Sequence, residues 1–104
     1  MIIYNTTFHI HRDVREGCLA YLKTSYIPKA IQGGILRAPS LMRVLNSENE
    51  EGESFSLQFH VQDVDALNQW LREVGKALQQ ELIGRYQENV VGFSTLLEEM
   101  DLPR

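Results

Sequence analysis

Apolar and polar side chains alternate over the first ten residues of the chain. Ile2, Tyr4, Phe8 and Ile10 fall on one side of an extended segment together with Thr6, and the residues between them are mostly polar. Because side chains alternate across a β-strand, this pattern predicts a strand with one face on a core. The other face is then left for water, a cavity or a partner. We expect this strand to lie in the centre of a sheet.

Three further strands are predicted from alternation or from a richness in apolar residues. They span residues 35–45, 55–61 and 90–97. The segment 55–61 has the clearest pattern, because an apolar residue occupies every second position and polar residues occupy the others. It therefore predicts a second strand with one buried face and one polar face.

Two stretches repeat apolar residues at helical spacing. The first follows Asp13 and ends at Gly33-Gly34, which is typical of a helix C-terminus. The second begins at Asp63, the expected N-cap, and Gly75 weakens its middle by about 1 kcal/mol relative to Ala. Its predicted apolar stripe consists of Val64, Leu67, Leu71, Val74, Leu78 and Leu82.

The predicted order of elements is β-α-β-β-α-β. Right-handed crossovers then place both helices on one face of a four-stranded antiparallel sheet with strand order 4-1-3-2. This is an α+β, ferredoxin-like βαββαβ sandwich. We expect residues 1–104 to form one such domain.

The sheet face turned away from the helices, here called the open face, is the predicted functional surface. Its predicted pocket-lining residues on the two central strands are Asn5, Thr7, His9, Gln58 and His60. Apolar residues of the outer strands add to the same face, and a mixed surface of this kind is typical of a wet dimer interface enclosing a polar pocket. The pattern favours a homodimer formed through the open face, with a small molecule or a partner bound there. A bare solvated face of a monomer is the alternative.

Bulk composition restricts the class of partner. A net charge of −4 without a run of Lys and Arg argues against nucleic-acid binding. No apolar stretch approaches the roughly 20 residues that a membrane span needs. Cys18 is the single cysteine, which excludes an internal disulfide and fits a reducing compartment, so the predicted location is the cytoplasm.

An acidic segment follows the second predicted strand. Glu48, Glu50, Glu51 and Glu53 lie close together among Asn, Ser and Gly residues, which are typical of turns. We expect a solvated hairpin loop here. A divalent-cation site is the alternative, although the segment lacks the spacing of oxygen ligands found in an EF-hand.

Several single residues are candidates for chemistry. Histidine is a common general base at neutral pH, so His9 and His60 are candidates, with a surface or interface position as the alternative. Asn5 is unusual in mid-strand, and a buried amide there needs hydrogen-bond partners. Trp70 lies at the edge of the helical stripe, where it either belongs to the core or lines a pocket. His9 and His11 share one side of a strand without an evident third ligand, so we predict no metal site and no cofactor.

Three segments of the chain resemble one family. They are MIIYNTTFHI at the start, YLKTSYIPKAI in the first helix, and FSLQFHV followed by a helix and VVGFSTLLEE. Across nearly its whole length the chain resembles the bacterial group known as domain of unknown function 4286. The resemblance implies a dimeric α/β-barrel relative of the ferredoxin-like fold, and it implies no activity.

A wider resemblance is to the antibiotic-biosynthesis-type monooxygenases and their haem-degrading relatives, which use the same unit as a dimeric barrel. The haem-degrading type has an Asn on the first strand, a Trp on the second helix and a His ten residues beyond it. Asn5 and Trp70 match the first two positions, but Gln80 stands in place of the axial haem ligand. The resemblance therefore implies, as an alternative function, a cofactor-independent monooxygenase or isomerase. In it Asn5, Trp70 and His60 would position an aromatic substrate.

Overall fold

The computed structural model describes residues 1–103, and its strands form one antiparallel sheet. The strands are β1 (Ile2–His11), β2 (Arg37–Arg43), β3 (Gly52–Val61) and β4 (Val90–Glu98). Neighbouring strands follow the order β2-β3-β1-β4, which confirms the predicted ferredoxin-like arrangement. Compared with the predicted bounds, β2 is shorter at both ends and β3 begins earlier, at Gly52.

Each crossover between strands is a helical segment in which a π-turn separates two α-helices. The segments are α1 (Arg15–Tyr21), a first π-turn (Leu22–Tyr26) and α2 (Ile27–Ile31), then α3 (Val64–Trp70), a second π-turn (Leu71–Gly75) and α4 (Lys76–Tyr86). The first crossover ends at Gly33 and Gly34, which have φ angles of +92° and +82°. Asp63 caps α3, because its Oδ1 accepts a hydrogen bond from the Ala66 amide at 2.8 Å. Within residues 1–103, no helix combines the length and apolar character that crossing a membrane requires.

Burial confirms the alternation predicted for the two central strands. Their helix-facing apolar side chains are almost fully buried, and they include Tyr4, Phe8, Ile10, Phe55, Leu57, Phe59 and Val61. β1 and β3 pair along their whole length, with Asn5 opposite Gln58 and Thr7 opposite Ser56. Because side chains alternate, this register also determines which residues share the open face.

The second π-turn changes which residues of its helix reach the core. A π-turn inserts one extra residue into the helical repeat, so the predicted stripe is interrupted at the turn, although Leu67, Leu78 and Leu82 are buried as predicted. Trp70 is 1% exposed, whereas Leu71 and Val74 of the predicted stripe are only half-buried. The Trp70 indole N–H donates to the Ala30 carbonyl oxygen at 2.8 Å, and its ring meets Tyr4 edge-on with centroids 5.9 Å apart. Trp70 is therefore a core residue between the helices and the sheet.

The acidic segment is a solvated loop only in part. Residues 48–51 are exposed, but Glu53 belongs to β3 and is buried. Its carboxylate lies 3.3 Å from the Arg15 guanidinium and 3.6 Å from that of Arg43. The prediction of a solvated position was therefore wrong for Glu53, which links α1, β2 and β3. Among residues 1–103, no group of three metal-ligating side chains is placed to hold a cation.

The buried thiol of Cys18 leads to a prediction about reactivity. Burial raises the pKa of Cys18 from 9.0 to about 11, and the thiolate is the reactive form. We expect a thiol reagent at pH 8 to leave the native protein unmodified and to react at once in denaturant. Because the pKa is higher in the folded state, the contribution of Cys18 to stability is lost as pH rises from about 9 to about 11. Equal reaction rates with native and denatured protein would contradict this account.

Candidate functional site

The open face has a polar centre formed by the two central strands. Its half-buried polar side chains are Asn5, Thr7, His9, Ser54, Ser56, Gln58 and His60. Asn5, Thr7 and Gln58 lie at the middle of the paired segment, as the antiparallel register requires. The chain therefore presents a compact set of hydrogen-bonding groups on the side of the sheet opposite the hydrophobic core.

Asn5 is held by hydrogen bonds within this polar centre. Its side-chain oxygen accepts a hydrogen bond from the Ser56 hydroxyl, and its amide nitrogen donates to Thr7 Oγ1 at 3.3 Å. An amide has two donors and an oxygen with two lone pairs, so capacity remains for one further donor and acceptor pair. The bonds within the sheet explain why an Asn is accommodated in mid-strand.

His9 and His60 lie at opposite ends of the polar centre. His9 is opposite Ser54, with its Nδ1 3.0 Å from Ser54 Oγ, and His60 is opposite Ile3. The positions of Ile3 and His9 are six residues apart on β1, which is roughly 20 Å at the rise of a strand. The two imidazoles of one chain therefore do not contact one small ligand together.

Exposed apolar side chains flank the polar centre on both outer strands. On β4, Val91, Phe93 and Leu97 lie opposite open-face residues of β1 and are 59%, 64% and 43% exposed. On β2, Met42 lies opposite Ser56 and is 43% exposed. Contiguous apolar patches beside polar groups mark interaction sites on protein surfaces. The open face thus combines apolar flanks with a hydrogen-bonding centre.

A second concave feature lies on the opposite side of the sheet, where α4 meets β4. This β4 cleft has a volume of about 300 Å³ and uncharged lining residues, with apolar walls that include Phe8, Leu82, Ile83 and Val90. Hydroxyl groups lie along its floor. Thr6 Oγ1 and Ser94 Oγ are 3.0 Å apart, and Ser94 Oγ donates to the Tyr4 hydroxyl at 3.4 Å. The cleft is suited to an apolar molecule that carries an oxygen function.

Tyr26 also lines the β4 cleft, and it remains protonated there. Burial, together with the neighbouring Tyr4 and Tyr21 hydroxyls, raises the pKa of Tyr26 above its usual range. A phenol that keeps its proton can donate as well as accept a hydrogen bond. Within residues 1–103, the side chains that line the cleft include neutral hydroxyl groups and carry no charge, which disfavours an ionic ligand.

The structure does not bring the three predicted catalytic candidates together. Asn5 and His60 lie on the open face, whereas Trp70 lies in the core on the helix side, where Ala30 accepts its only polar hydrogen. The predicted pocket lined by both Asn5 and Trp70 is therefore wrong, because the two residues lie on opposite sides of the sheet, and Trp70 has the core position that the sequence left open as an alternative. The β4 cleft was not predicted from the sequence. The sequence feature that could have indicated it is Gly92, a residue without a side chain at a helix-facing position of β4.

Comparisons with known proteins agree with this fold. The family described as Domain of unknown function (DUF4286) matches residues 1–100, and no curated protein matches the chain. An ethyl tert-butyl ether d (EthD) family protein from Bacillus halodurans is similar in structure, with 16% identity and a TM-score of 0.69 over 96% of this chain and 100% of that one. An antibiotic biosynthesis monooxygenase has 17% identity and a TM-score of 0.68 over 97% of this chain and 100% of that one.

A third similar structure is a variant of SnoaB, a cofactor-independent oxygenase from Streptomyces nogalater. It has 16% identity and a TM-score of 0.66 over 99% of this chain and 97% of that one. At these identities the likeness establishes a shared fold, which is the ferredoxin-like fold of the antibiotic-biosynthesis-monooxygenase type. It does not transfer a substrate or an activity.

Proposed function

We propose that this chain, which belongs to the family described as Domain of unknown function (DUF4286), forms a homodimer through its open face and binds a small molecule or partner there. The observation that carries the proposal is the row of exposed apolar side chains on β4, of which Phe93 is 64% exposed. A free thiol at Cys18 fits a reducing compartment, which supports a cytoplasmic location as part of this proposal.

Packing two open faces together covers the apolar flanks and brings two polar centres face to face. Asn5 already has partners within its own sheet, but Gln58 has no side-chain partner among the hydrogen bonds of residues 1–103. Buried polar groups require hydrogen bonds, and interfaces satisfy them with water or bound molecules. The space between the two centres therefore suits a small ligand with both donors and acceptors.

Replacing Phe93 with Ser is expected to weaken the dimer at least about tenfold, because apolar aromatic anchors dominate interface energies. The monomer should keep its stability, since this side chain is largely exposed. Sedimentation equilibrium measures the effect. Val64→Ser is the matched control, because Val64 is a 45% exposed apolar residue on α3 in the helical layer. A wild-type protein that remains monomeric at millimolar concentration contradicts the proposal.

The β4 cleft favours a second candidate function, a cofactor-independent monooxygenase or isomerase acting on an aromatic substrate. Its apolar walls suit an aromatic ring, and the hydroxyls of Thr6 and Ser94 suit a phenol or carbonyl oxygen. In this version of the enzyme hypothesis, the cleft hydroxyls position the substrate. Asn5, Trp70 and His60 take no direct part, because none of them lines the cleft.

Oxygen uptake with a panel of hydroquinones tests this second candidate. Thr6→Val exchanges a hydroxyl for a methyl group at nearly constant shape, and we expect it to lower kcat/KM about tenfold through one lost hydrogen bond. Asn5→Ala, on the other side of the sheet, should leave kcat/KM unchanged. Absence of oxygen uptake by the wild type across the panel removes the support for an oxygenase.

A further inference from the structure

The two outer edges of the sheet are built differently. β2 carries a register shift between Arg37 and Ser40, a positive φ of 51° at Ala38, and Pro39. Bulges, prolines and charged residues are features that keep an edge strand from pairing with another chain. β4 lacks the bulge and the proline, since it pairs with β1 without a register shift, and its sequence, VVGFSTLLE, has a single charge at its last residue.

The register identifies the backbone groups on the free side of β4. The Glu99 amide donates to the Met1 carbonyl oxygen at 3.2 Å, and hydrogen-bonded pairs alternate along an antiparallel ladder. The odd-numbered residues of β4 therefore bond to β1. The residues that direct their N–H and C=O groups to the free side include Gly92, Ser94 and Leu96. No strand within residues 1–103 pairs with this side, and β4 is exposed beyond its first residue.

We propose that the free edge of β4 pairs with β4 of a second copy of this chain, antiparallel about a two-fold axis at Ser94. In this register Ser94 lies opposite its symmetry mate and Gly92 lies opposite Leu96. The outward N–H and C=O groups of all three residues then form hydrogen-bonded pairs. The single charge, Glu98, falls opposite Val90, so like charges do not meet across the axis. In a contact of this kind the same residues of both copies face each other, so the contact is complete in a pair of chains.

The side chains of β4 complement one another in this register. On the helix side, the 48% exposed Leu96 of the second copy lies opposite Gly92, whose own Cβ position is closely approached by Phe8. Gly92 lines the β4 cleft together with Ile83, itself 62% exposed, so Leu96 of the second copy lies at the mouth of the cleft in this register. The second copy thereby supplies an outer wall of the cleft. On the open face, Val91 lies opposite Leu97, so the apolar strip continues across the axis.

This edge contact goes beyond the open-face dimer because the two contacts use different groups. The open face uses side chains of odd-numbered β4 residues, including Phe93, whereas the hydrogen bonds of the edge contact come from outward backbone groups of even-numbered residues. Both contacts can form on the same chain, and the assembly then contains more than two copies. Each contact can therefore be disrupted and measured independently of the other.

Amide hydrogen exchange of the ¹⁵N-labelled full chain tests the edge contact directly. We expect the amides of Gly92, Ser94 and Leu96 to be protected at least about 100-fold, and to lose that protection on dilution to monomer. The amides of Phe93 and Thr95 bond to β1 and should stay protected at every concentration, which makes them internal controls. Unprotected exchange at the three edge positions, at a concentration where the protein is oligomeric, overturns the proposal and leaves the open-face dimer intact.

Two substitutions at one position complete the test. Leu96→Pro removes an outward N–H that plays no part in pairing with β1, and proline is tolerated at such positions of edge strands. Leu96→Val keeps that N–H and an apolar side chain. We expect Leu96→Pro to abolish exchange protection at Gly92, Leu96→Val to retain it, and Phe93→Ser to leave it unchanged. Protection of Gly92 in folded Leu96→Pro protein, with the assembly mass unchanged, overturns the proposal.

Discussion

Replacing Trp70 with Ala is expected to lower the free energy of unfolding by about 4 kcal/mol, within the range for large-to-small changes of buried aromatic residues. The indole is 1% exposed and packs edge-on against Tyr4. Its removal leaves a cavity and also deprives the Ala30 carbonyl oxygen of the donor at 2.8 Å. Domains of this size have a total stability of about 5–15 kcal/mol, so this one change removes a large part of it.

Trp70→Phe separates the two contributions. It keeps an aromatic ring in the core but removes the N–H donor, so we expect a loss of about 1–2 kcal/mol. Urea unfolding followed by far-ultraviolet circular dichroism gives both values, and it does not depend on tryptophan fluorescence. A loss below about 1 kcal/mol for Trp70→Ala would contradict a core role. Loss of ligand binding without loss of stability would instead restore Trp70 as a site residue.

The central strands could be predicted from the sequence because strand burial has a period of two. The helix-facing positions of β1 and β3, such as Phe8 and Phe59, are apolar at every second residue except Thr6 and Glu53, and each strand lies between two others in the sheet. A one-residue error in register would place the whole apolar set on the wrong face. The pattern therefore indicated both the hydrophobic core and the polar open face.

The sequence left a core position and a pocket position open for Trp70, because the helical repeat is not uniform. The stripe assumed regular α-helical spacing, and the second π-turn (Leu71–Gly75) inserts a residue at its centre. Gly75 was the available signal, since it lies directly against the Trp70 ring. Read from the sequence alone, a glycine in mid-helix indicates only weaker helix formation.

Glu53 and the β4 cleft depend on contacts between distant segments. A glutamate in an acidic run indicates a loop unless its partners are known, and Arg15 and Arg43 come from α1 and β2. The cleft likewise needs Thr6, Gly92 and α4 to meet. None of these residues stands out within its own segment, so the Glu53 ion pairs and the β4 cleft become visible only in the folded chain. The polar centre of the open face was predictable because its residues follow one local rule on two strands.

Gly75→Ala is expected to lower the free energy of unfolding by about 2 kcal/mol, the opposite sign to the effect of helix propensity. Alanine favours a helix by about 1 kcal/mol over glycine. A Cβ at Gly75, however, would lie 2.5 Å from Trp70 Cζ3 and 2.9 Å from Cε3. Trp70 is buried and hydrogen-bonded to Ala30, so its ring has little freedom to move. Overpacking of this kind costs about 1–3 kcal/mol.

Gly84→Ala is the matched control, because Gly84 lies in the same helical segment, in α4 (Lys76–Tyr86), and a Cβ there finds no packing partner among residues 1–103 within 4 Å. We expect it to raise the free energy of unfolding by up to about 1 kcal/mol, the gain that propensity predicts. In a Trp70→Ala background the steric conflict is absent, so Gly75→Ala should become neutral or stabilising in a double-mutant cycle. An undiminished loss in that background would show that the backbone of the second π-turn, rather than the Trp70 ring, requires glycine at this position.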